Sequence, residues 1–258
     1  VVQLGTGSGT QTAILVGDAP GSYANGSGTN LVVEDRIGDA PESTANSVSI
    51  NMIPSNRHSY PAGYVPTQVD NAFSMAFDGT STKISFSDIT LASSYTLSAW
   101  AKRTSSSNNE FLFGNGATYG YGAYFNGTTA IYFKQDSGNT TFNNSAITTA
   151  LARTDWVNWM FVKDSTAGTI SIYVDGALAQ SVTSALGMTS INTIGGDGTA
   201  ATSYIWTGNI DEVAIFDYAL SERQIKQDIY NGTTTGKTAD LNNISNLTAP
   251  VAWYRMGD

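Results

Sequence analysis

From residue 71 onward the chain alternates apolar and polar positions in short runs. Over 95–102, Tyr95, Leu97, Ala99 and Ala101 fall on one side and Thr96, Ser98, Trp100 and Lys102 on the other. This is the period-two pattern of a β-strand whose faces meet different surroundings. Segments 72–77 and 82–87 alternate about Asp78-Gly79-Thr80, which predicts a hairpin. Further strands are predicted over 111–113, 121–125 and 130–133, split by Asn115-Gly116 and Asn126-Gly127 turns. Others are predicted over 156–163 and 169–174, the second ending at the Asp175-Gly176 turn. A strand at 191–194 runs into Gly195-Gly196-Asp197-Gly198, and 210–216 is a long β-rich run. One helix announces itself. Ser221-Glu222-Arg223-Gln224 has the form of a capping box, Ile225 and Ile229 lie four apart, and Asn231-Gly232 supplies a stop. Many short strands with one late helix predict an antiparallel β-sandwich.

Residues 1–70 read differently. Glycines punctuate them, aromatics are few, and apolar runs such as 13–16 and 31–33 are short. The expectation is an extended Gly-rich arm with short strands over 1–70, and the sandwich over 71–258. Within the arm, Val16-Gly17-Asp18-Ala19-Pro20 is echoed by Ile37-Gly38-Asp39-Ala40-Pro41. Arg36-Ile37-Gly38-Asp39 is echoed again by Arg255-Met256-Gly257-Asp258 at the far end. Chance can produce so short a match; the alternative is a modular chain whose last residues begin another copy of a linker. Together with a first residue, Val1, that is not Met, the echo points to a longer parent chain.

Composition narrows the classes. Only 13% of the 258 residues are charged, against the usual quarter, and 26 are glycine. This suits a turn-rich β protein of a size ample for a core. With no cysteine, disulfide frameworks, thiolate metal sites and thiol nucleophiles are excluded. A net charge of −9 argues against binding a phosphate backbone. No apolar stretch approaches the roughly 18 residues needed to cross a bilayer, so no membrane insertion is expected.

The ordered motifs resemble the laminin-G-like, concanavalin A-like jelly-roll family. The matching pieces are Phe77-Asp78-Gly79-Thr80, Tyr95-Thr96-Leu97-Ser98-Ala99-Trp100, Trp156-Val157-Asn158-Trp159, Ile172-Tyr173-Val174-Asp175-Gly176 and Gly208-Asn209-Ile210-Asp211-Glu212, closed by the helix after Leu220. Each is weak alone; their order over 72–230 is specific. The resemblance implies two antiparallel sheets, one convex and one concave, with adjacent termini, so that 251–254 returns beside the first strands. More loosely, the linker-like phrases resemble those flanking such domains in structural proteins of tailed phages, marine ones in particular.

Glucanases of the fold carry two glutamates and an aspartate on one strand; here the adjacent strand carboxylates are Asp211 and Glu212, expected on opposite faces, and no Glu-x-Asp-x-x-Glu occurs. His58 is the single histidine, too little for a triad or a multi-histidine zinc site. The chain is therefore expected not to be an enzyme, with glycoside hydrolysis an outlier. Because several relatives hold a structural calcium near the rim, the resemblance makes Asp78 and Asp211 candidate Ca2+ ligands; the plain alternative is a turn aspartate and a backbone-bonded one. Sugars need aromatic faces beside polar donors, and Tyr119, Tyr121, Tyr124 and Trp206 are the candidates. The same tyrosines equally suit a sandwich cap or a protein interface. The leading expectation is a structural or adhesion protein on a larger assembly, a virion above all. Its arm would contact other copies or other subunits, with surface glycans as a further partner. The alternative is a lectin-like carbohydrate-binding module of a secreted protein. Both place the chain on a virion surface or outside the cell.

Overall fold

The computed structural model describes residues 73–104, 106, 108–116, 121–135, 138–198, 204–230, 240–242, 244 and 247–256, with four short strands nearer the N-terminus. The chain divides into two compact units, Val1–Tyr64 and Val65–Asp258. In the first, β1 (Gly21–Ser22) pairs antiparallel with β4 (Met52–Ile53), and β2 (Ala24–Ser27) with β3 (Asn30–Val33). The rest of the arm expected over 1–70 lies outside the described residues.

The second unit is an antiparallel sandwich, the all-β class that the alternation predicts. Its strands are β5 (Met75–Asp78), β6 (Ile84–Thr90), β7 (Tyr95–Arg103), β8 (Asn109–Asn115), β9 (Tyr121–Asn126), β10 (Ala130–Gln135) and β11 (Gly138–Phe142). After helix α1 (Ser145–Leu151) come β12 (Trp156–Asp164), β13 (Thr169–Val174), β14 (Ala177–Thr183), β15 (Ser190–Ile194) and β16 (Thr207–Phe216). A π-helix, α2 (Gln224–Tyr230), and strand β17 (Ala252–Tyr254) complete the unit. One sheet has six strands in the order β11-β10-β9-β8-β15-β6. The other has seven, β14-β13-β12-β7-β16-β17, with β5 also on β16.

The inward side of each alternating strand makes the core. Leu97, Ala99 and Ala101 of β7 and Trp159 and Phe161 of β12 meet Phe125 of β9, Ile131 and Phe133 of β10 and Ile194 of β15. Phe125 sits edge-on to Trp159 at 5.0 Å and to Trp206 at 5.2 Å between ring centroids. Edge-to-face aromatic pairs of this kind contribute about 0.5–1.5 kcal/mol beyond area burial.

Burial continues on the far side of the seven-stranded sheet. Thr96, Ser98 and Trp100 alternate outward from β7 yet are buried, because the chain after β16 folds back over them. Leu220, Ile225, Ile229, Leu241 and Ile244 pack there on Met160, Val162, Tyr173 and Phe216. The Thr96 hydroxyl accepts from the Leu220 N–H and donates to the Tyr218 carbonyl, both at 3.0 Å. Tyr230 stacks on Trp100 at 5.8 Å. Its ring also lies over Gly176, where a Cβ would stand 2.7 Å away. Asp175 and Gly176 both have positive φ (49° and 75°), the two-residue geometry that joins twisted antiparallel strands. The Asp175-Gly176 hairpin between β13 and β14 thus forms as expected.

Two sequence expectations change. β5 and β6 do not form a hairpin: β5 pairs with β16 in one sheet and β6 with β15 in the other, so the Asp78 turn is a corner between sheets. A second described helix, α1, was not anticipated; Asn144 caps it by accepting from the Ile147 N–H at 3.0 Å, and Ile147, Ala150 and Leu151 are its buried face. The C-terminal strand returns beside the first strands as expected, in line with β5 and with Tyr254 against Phe86 of β6 at 5.2 Å between ring centroids. β5 and β17 lie along the same edge of β16, β5 against Thr207–Ile210 and β17 against Val213–Ile215. The expected capping box does form: Gln224 Oε1 accepts from the Ser221 N–H at 2.9 Å.

Candidate functional site

Alternation that sends Phe125, Ile131 and Phe133 inward sends Tyr124, Tyr132 and Lys134 to the outer face of the six-stranded sheet. β9 and β10 pair so that Tyr124 lies opposite Tyr132, and β8 places Phe111 opposite Tyr124. Tyr124 and Tyr132 stack at 6.1 Å, and Phe111 and Tyr124 lie 5.0 Å apart. Tyr204 arrives from the segment before β16 and stands edge-on to Tyr124 at 5.5 Å and to Phe111 at 6.3 Å. Its carbonyl accepts from the Phe111 N–H at 2.9 Å, which fixes it to β8. Tyr204 has φ +62° and is 46% exposed, while Tyr124 beneath it is 7% exposed. A bulky residue held in the left-handed region is strained by about 1–3 kcal/mol, and such strain clusters at ligand clamps.

The cluster also carries a charge. Lys134 Nζ stands 4.4 Å from the Tyr124 ring centroid and 5.7 Å from that of Phe111, within cation–π range. Burial, with Tyr204 and Tyr132 adding to it, pushes the Tyr124 phenol above its ordinary value, so it remains an O–H donor at neutral pH. Aromatic faces, phenolic hydroxyls and an ammonium on one side of a sheet can stack a C–H-rich ring and hydrogen-bond its rim.

Beneath one end of this face a buried ion pair ties the two sheets. Arg103 of β7 donates from Nε to Glu110 of β8 at 3.0 Å, and its Nη atoms donate to the carbonyls of Asn108, Gly127 and Leu151. Glu110 Oε1 accepts from the Thr207 N–H at 3.0 Å. Burial pushes the Glu110 carboxyl up, and the Arg103 guanidinium opposes that push.

The residues expected from sequence scatter over the unit. Tyr124 is on the outer face. Tyr121 is half-buried at the start of β9, where alternation sets it opposite to Tyr124. Tyr119 lies outside the described residues. Trp206 is 0% exposed, wedged between the sheets against Phe125; an indole with no open face cannot stack on a sugar, so it belongs to the core. Asp78 caps its own turn, accepting from the N–H groups of Thr80, Ser81 and Thr82 and from the Ser81 hydroxyl. These donors hold its carboxyl far below the usual range. Asp211 is buried on the outer face of the seven-stranded sheet, in register with Trp100, and its Oδ1 accepts from the Glu212 N–H. Asp78 pairs with Thr207, four residues or about 13 Å along the strand from Asp211. A calcium ion needs oxygens converging within about 2.6 Å, so these two carboxylates do not fit one ion. Nor does simple alternation hold across Asp211 and Glu212. A bulge there, with Glu212 at φ +48°, lets the Glu212 carboxylate accept from the Trp253 indole N–H at 2.6 Å.

Tyr132, Lys134 and Tyr204 were not singled out from sequence. The first two were readable as the other half of the Ile131–Phe133 alternation. Tyr204 carried no local signal, since a long-range fold brings it to β8.

The family model described as concanavalin A-like lectin/glucanases superfamily, a laminin-G model, matches residues 78–226. The chain belongs to this superfamily. Solved structures with the concanavalin A-like fold resemble it at low identity. A candidate carbohydrate-binding protein from Bacteroides ovatus matches with TM-score 0.53 at 17% identity, over 76% of this chain and 53% of that one. The CBM40 of the Ruminococcus gnavus IT-sialidase, bound to alpha2,3 sialyllactose, gives 0.47 at 14%, over 61% of this chain and 95% of that one. A heptameric SAP-like pentraxin from Limulus polyphemus gives 0.42 at 13%, over 58% and 78%. At such identity the likeness is one of fold, and the chain spans about half the length of the Bacteroides protein. None of the curated proteins matches the chain. Among the described residues of this concanavalin A-like sandwich, no helix is long and apolar enough to cross a membrane.

Proposed function

We propose that this concanavalin A-like sandwich binds carbohydrate outside the cell, through the outer face of its six-stranded sheet, and acts by contact rather than by turnover. The observation that carries the reading is the joined aromatic cluster of Phe111, Tyr124, Tyr132 and Tyr204, with the Tyr204 ring left 46% exposed. An exposed ring held at positive φ over packed aromatic side chains suits an interaction site. Superfamily membership supports a sugar as the partner, since lectins are among the proteins for which it is described. A glycan array, run with wild type and Tyr204→Ala and with and without calcium, tests this. Binding that weakens about tenfold or more, about 1.4 kcal/mol, without Tyr204 upholds it. No bound glycan, or binding indifferent to Tyr204, removes it.

A second reading places the sandwich on a larger assembly such as a virion, with residues 1–70 contacting other copies or other subunits. The repeated phrases at 16–20, 37–41 and 255–258 favour it, because modular linkers suit display proteins. Electron microscopy of the protein from its native source separates the two: a free particle-independent protein leaves the glycan reading alone.

A further inference from the structure

Resting on the glycan reading, we infer that the outer face of the six-stranded sheet selects acidic saccharides, with Lys134 meeting a carboxylate on the sugar. Lys134 is set among aromatic and neutral side chains in the described rows around it. Lys134 stands over the Tyr124 and Phe111 rings, and its neighbours on that face across the ladder are Asn139 of β11 and Gly122 of β9. The next row holds Tyr132 between Tyr124 and Thr141. Each of these neighbours is neutral. Among the described residues no carboxylate forms an ion pair with Lys134; the ion pairs of Arg103, Arg153, Arg223 and Arg255 use Glu110, Asp155, Asp175, Asp228 and Glu212.

The context sharpens this. The whole chain has 12 Lys and Arg against 21 Asp and Glu, so a cation set beside π faces, with no ion-pair partner among the described residues, departs from the chain's general balance. The ring faces attract the ammonium and restrain it, while its remaining N–H donors stay available to a ligand. A neutral pyranose would use Tyr132 and Tyr204 for stacking and leave this charge unmatched. A uronic or other carboxylated sugar stacked on the same rings would add a charge-assisted hydrogen bond, which is about twice as strong as a neutral one. Such a contact also weakens with added salt, since the site is near the surface.

The test uses carboxylated oligosaccharides, namely oligogalacturonate, oligomannuronate and sialyllactose, each beside its methyl ester, which keeps the ring and removes the charge. Titration calorimetry on the whole chain compares each pair for wild type and for Lys134→Met, which keeps the apolar stem against the rings. The expected result is at least one carboxylated member bound about tenfold tighter than its ester, as a charged hydrogen bond of about 1.5 kcal/mol gives. In Lys134→Met that ratio collapses toward one, with circular dichroism verifying the fold; Lys134→Arg restores part of it. If acid and ester bind alike, or if the preference survives in Lys134→Met, the inference is overturned while the glycan reading stands. Should neither form of any pair nor any neutral glycan bind, the inference and the reading on which it rests both fall.

Discussion

Met160, Val162, Tyr173 and Phe216 line the outer face of the seven-stranded sheet and are sealed there by Leu220, Ile225 and Ile229. On the six-stranded sheet, Phe111, Tyr124 and Tyr132 line the matching outer face, and among the described residues what lies against them is one exposed tyrosine and one lysine. Both faces are rich in large side chains, yet their chemistry differs. The covered face mixes aliphatic side chains with Trp100, Tyr173 and Phe216 and is sealed by the chain's own residues, the kind of burial that stabilises a fold and offers a ligand little direction. The open face is aromatic and hydroxylated, and one of its residues, Tyr204, is held at a backbone angle that costs energy. A fold that seals one face with its own chain and on the other leaves Tyr204 exposed over buried Phe111 and Tyr124 has separated stability from recognition.

The largest expected loss comes from the link between the sheets that both faces share. Arg103→Met leaves Glu110 buried without its partner and is expected to destabilise the unit by about 3–5 kcal/mol in urea unfolding. A variant within ~1 kcal/mol of wild type would show the link to be dispensable. On the covered face, Ile229→Ala opens a cavity under α2 and should cost about 2–4 kcal/mol while leaving glycan affinity unchanged, since α2 covers the opposite sheet.

Asn158 sharpens the contrast in the other direction. It lies in register with Trp100 under the same cover, and neither its amide oxygen nor its amide nitrogen makes a hydrogen bond to the described residues. Asn158→Leu, close in shape and apolar, should therefore raise stability by about 1–2 kcal/mol; a loss of that size would mean the amide is needed. On the open face Tyr204→Ala should move stability by less than about 1 kcal/mol, lost ring contacts being offset by relief at a strained position.

The smallest effect is at the corner between the sheets. Donors from Thr80, Ser81 and Thr82 lower the folded-state pKa of Asp78, so the contribution of its ionised form is present above the unfolded value. It fades below about pH 4 and is lost as the pH falls through the lowered folded value. Stability measured from pH 7 to pH 2 should fall less steeply in Asp78→Asn than in wild type, and parallel curves would contradict the assignment.

Local signals explain which parts were legible. Alternation along β7, β12 and β13 is a property of a few consecutive residues, as are the Asp175-Gly176 turn and the Ser221–Gln224 capping box, and each is found in the fold. What failed depended on distant partners. Asp78-Gly79-Thr80 has hairpin chemistry, but the sheet that each flanking strand joins is decided by β15 and β16, more than a hundred residues on. Trp206 sits beside a turn, as an exposed binding residue does, and only the closing of Phe125 over it makes it core. Of the candidate site, Tyr124 was legible because it belongs to a run of tyrosines flanked by glycines, Tyr119 to Tyr124. Tyr204 was not, because its neighbours Phe111 and Tyr124 come from strands eighty or more residues earlier. The covered face was hidden for the same reason: α2 was readable, the sheet it would lie on was not.

The most direct measurement is a map of where a bound glycan touches the protein, by backbone amide chemical-shift changes on titrating the tightest ligand from the array. The account predicts that the perturbed amides cluster in β8, β9 and β10 and beside Tyr204, with those under α2 silent. Perturbations centred on α2 or on the edge carrying β5 and β17, with the Tyr124–Tyr132 rows unmoved, would contradict it.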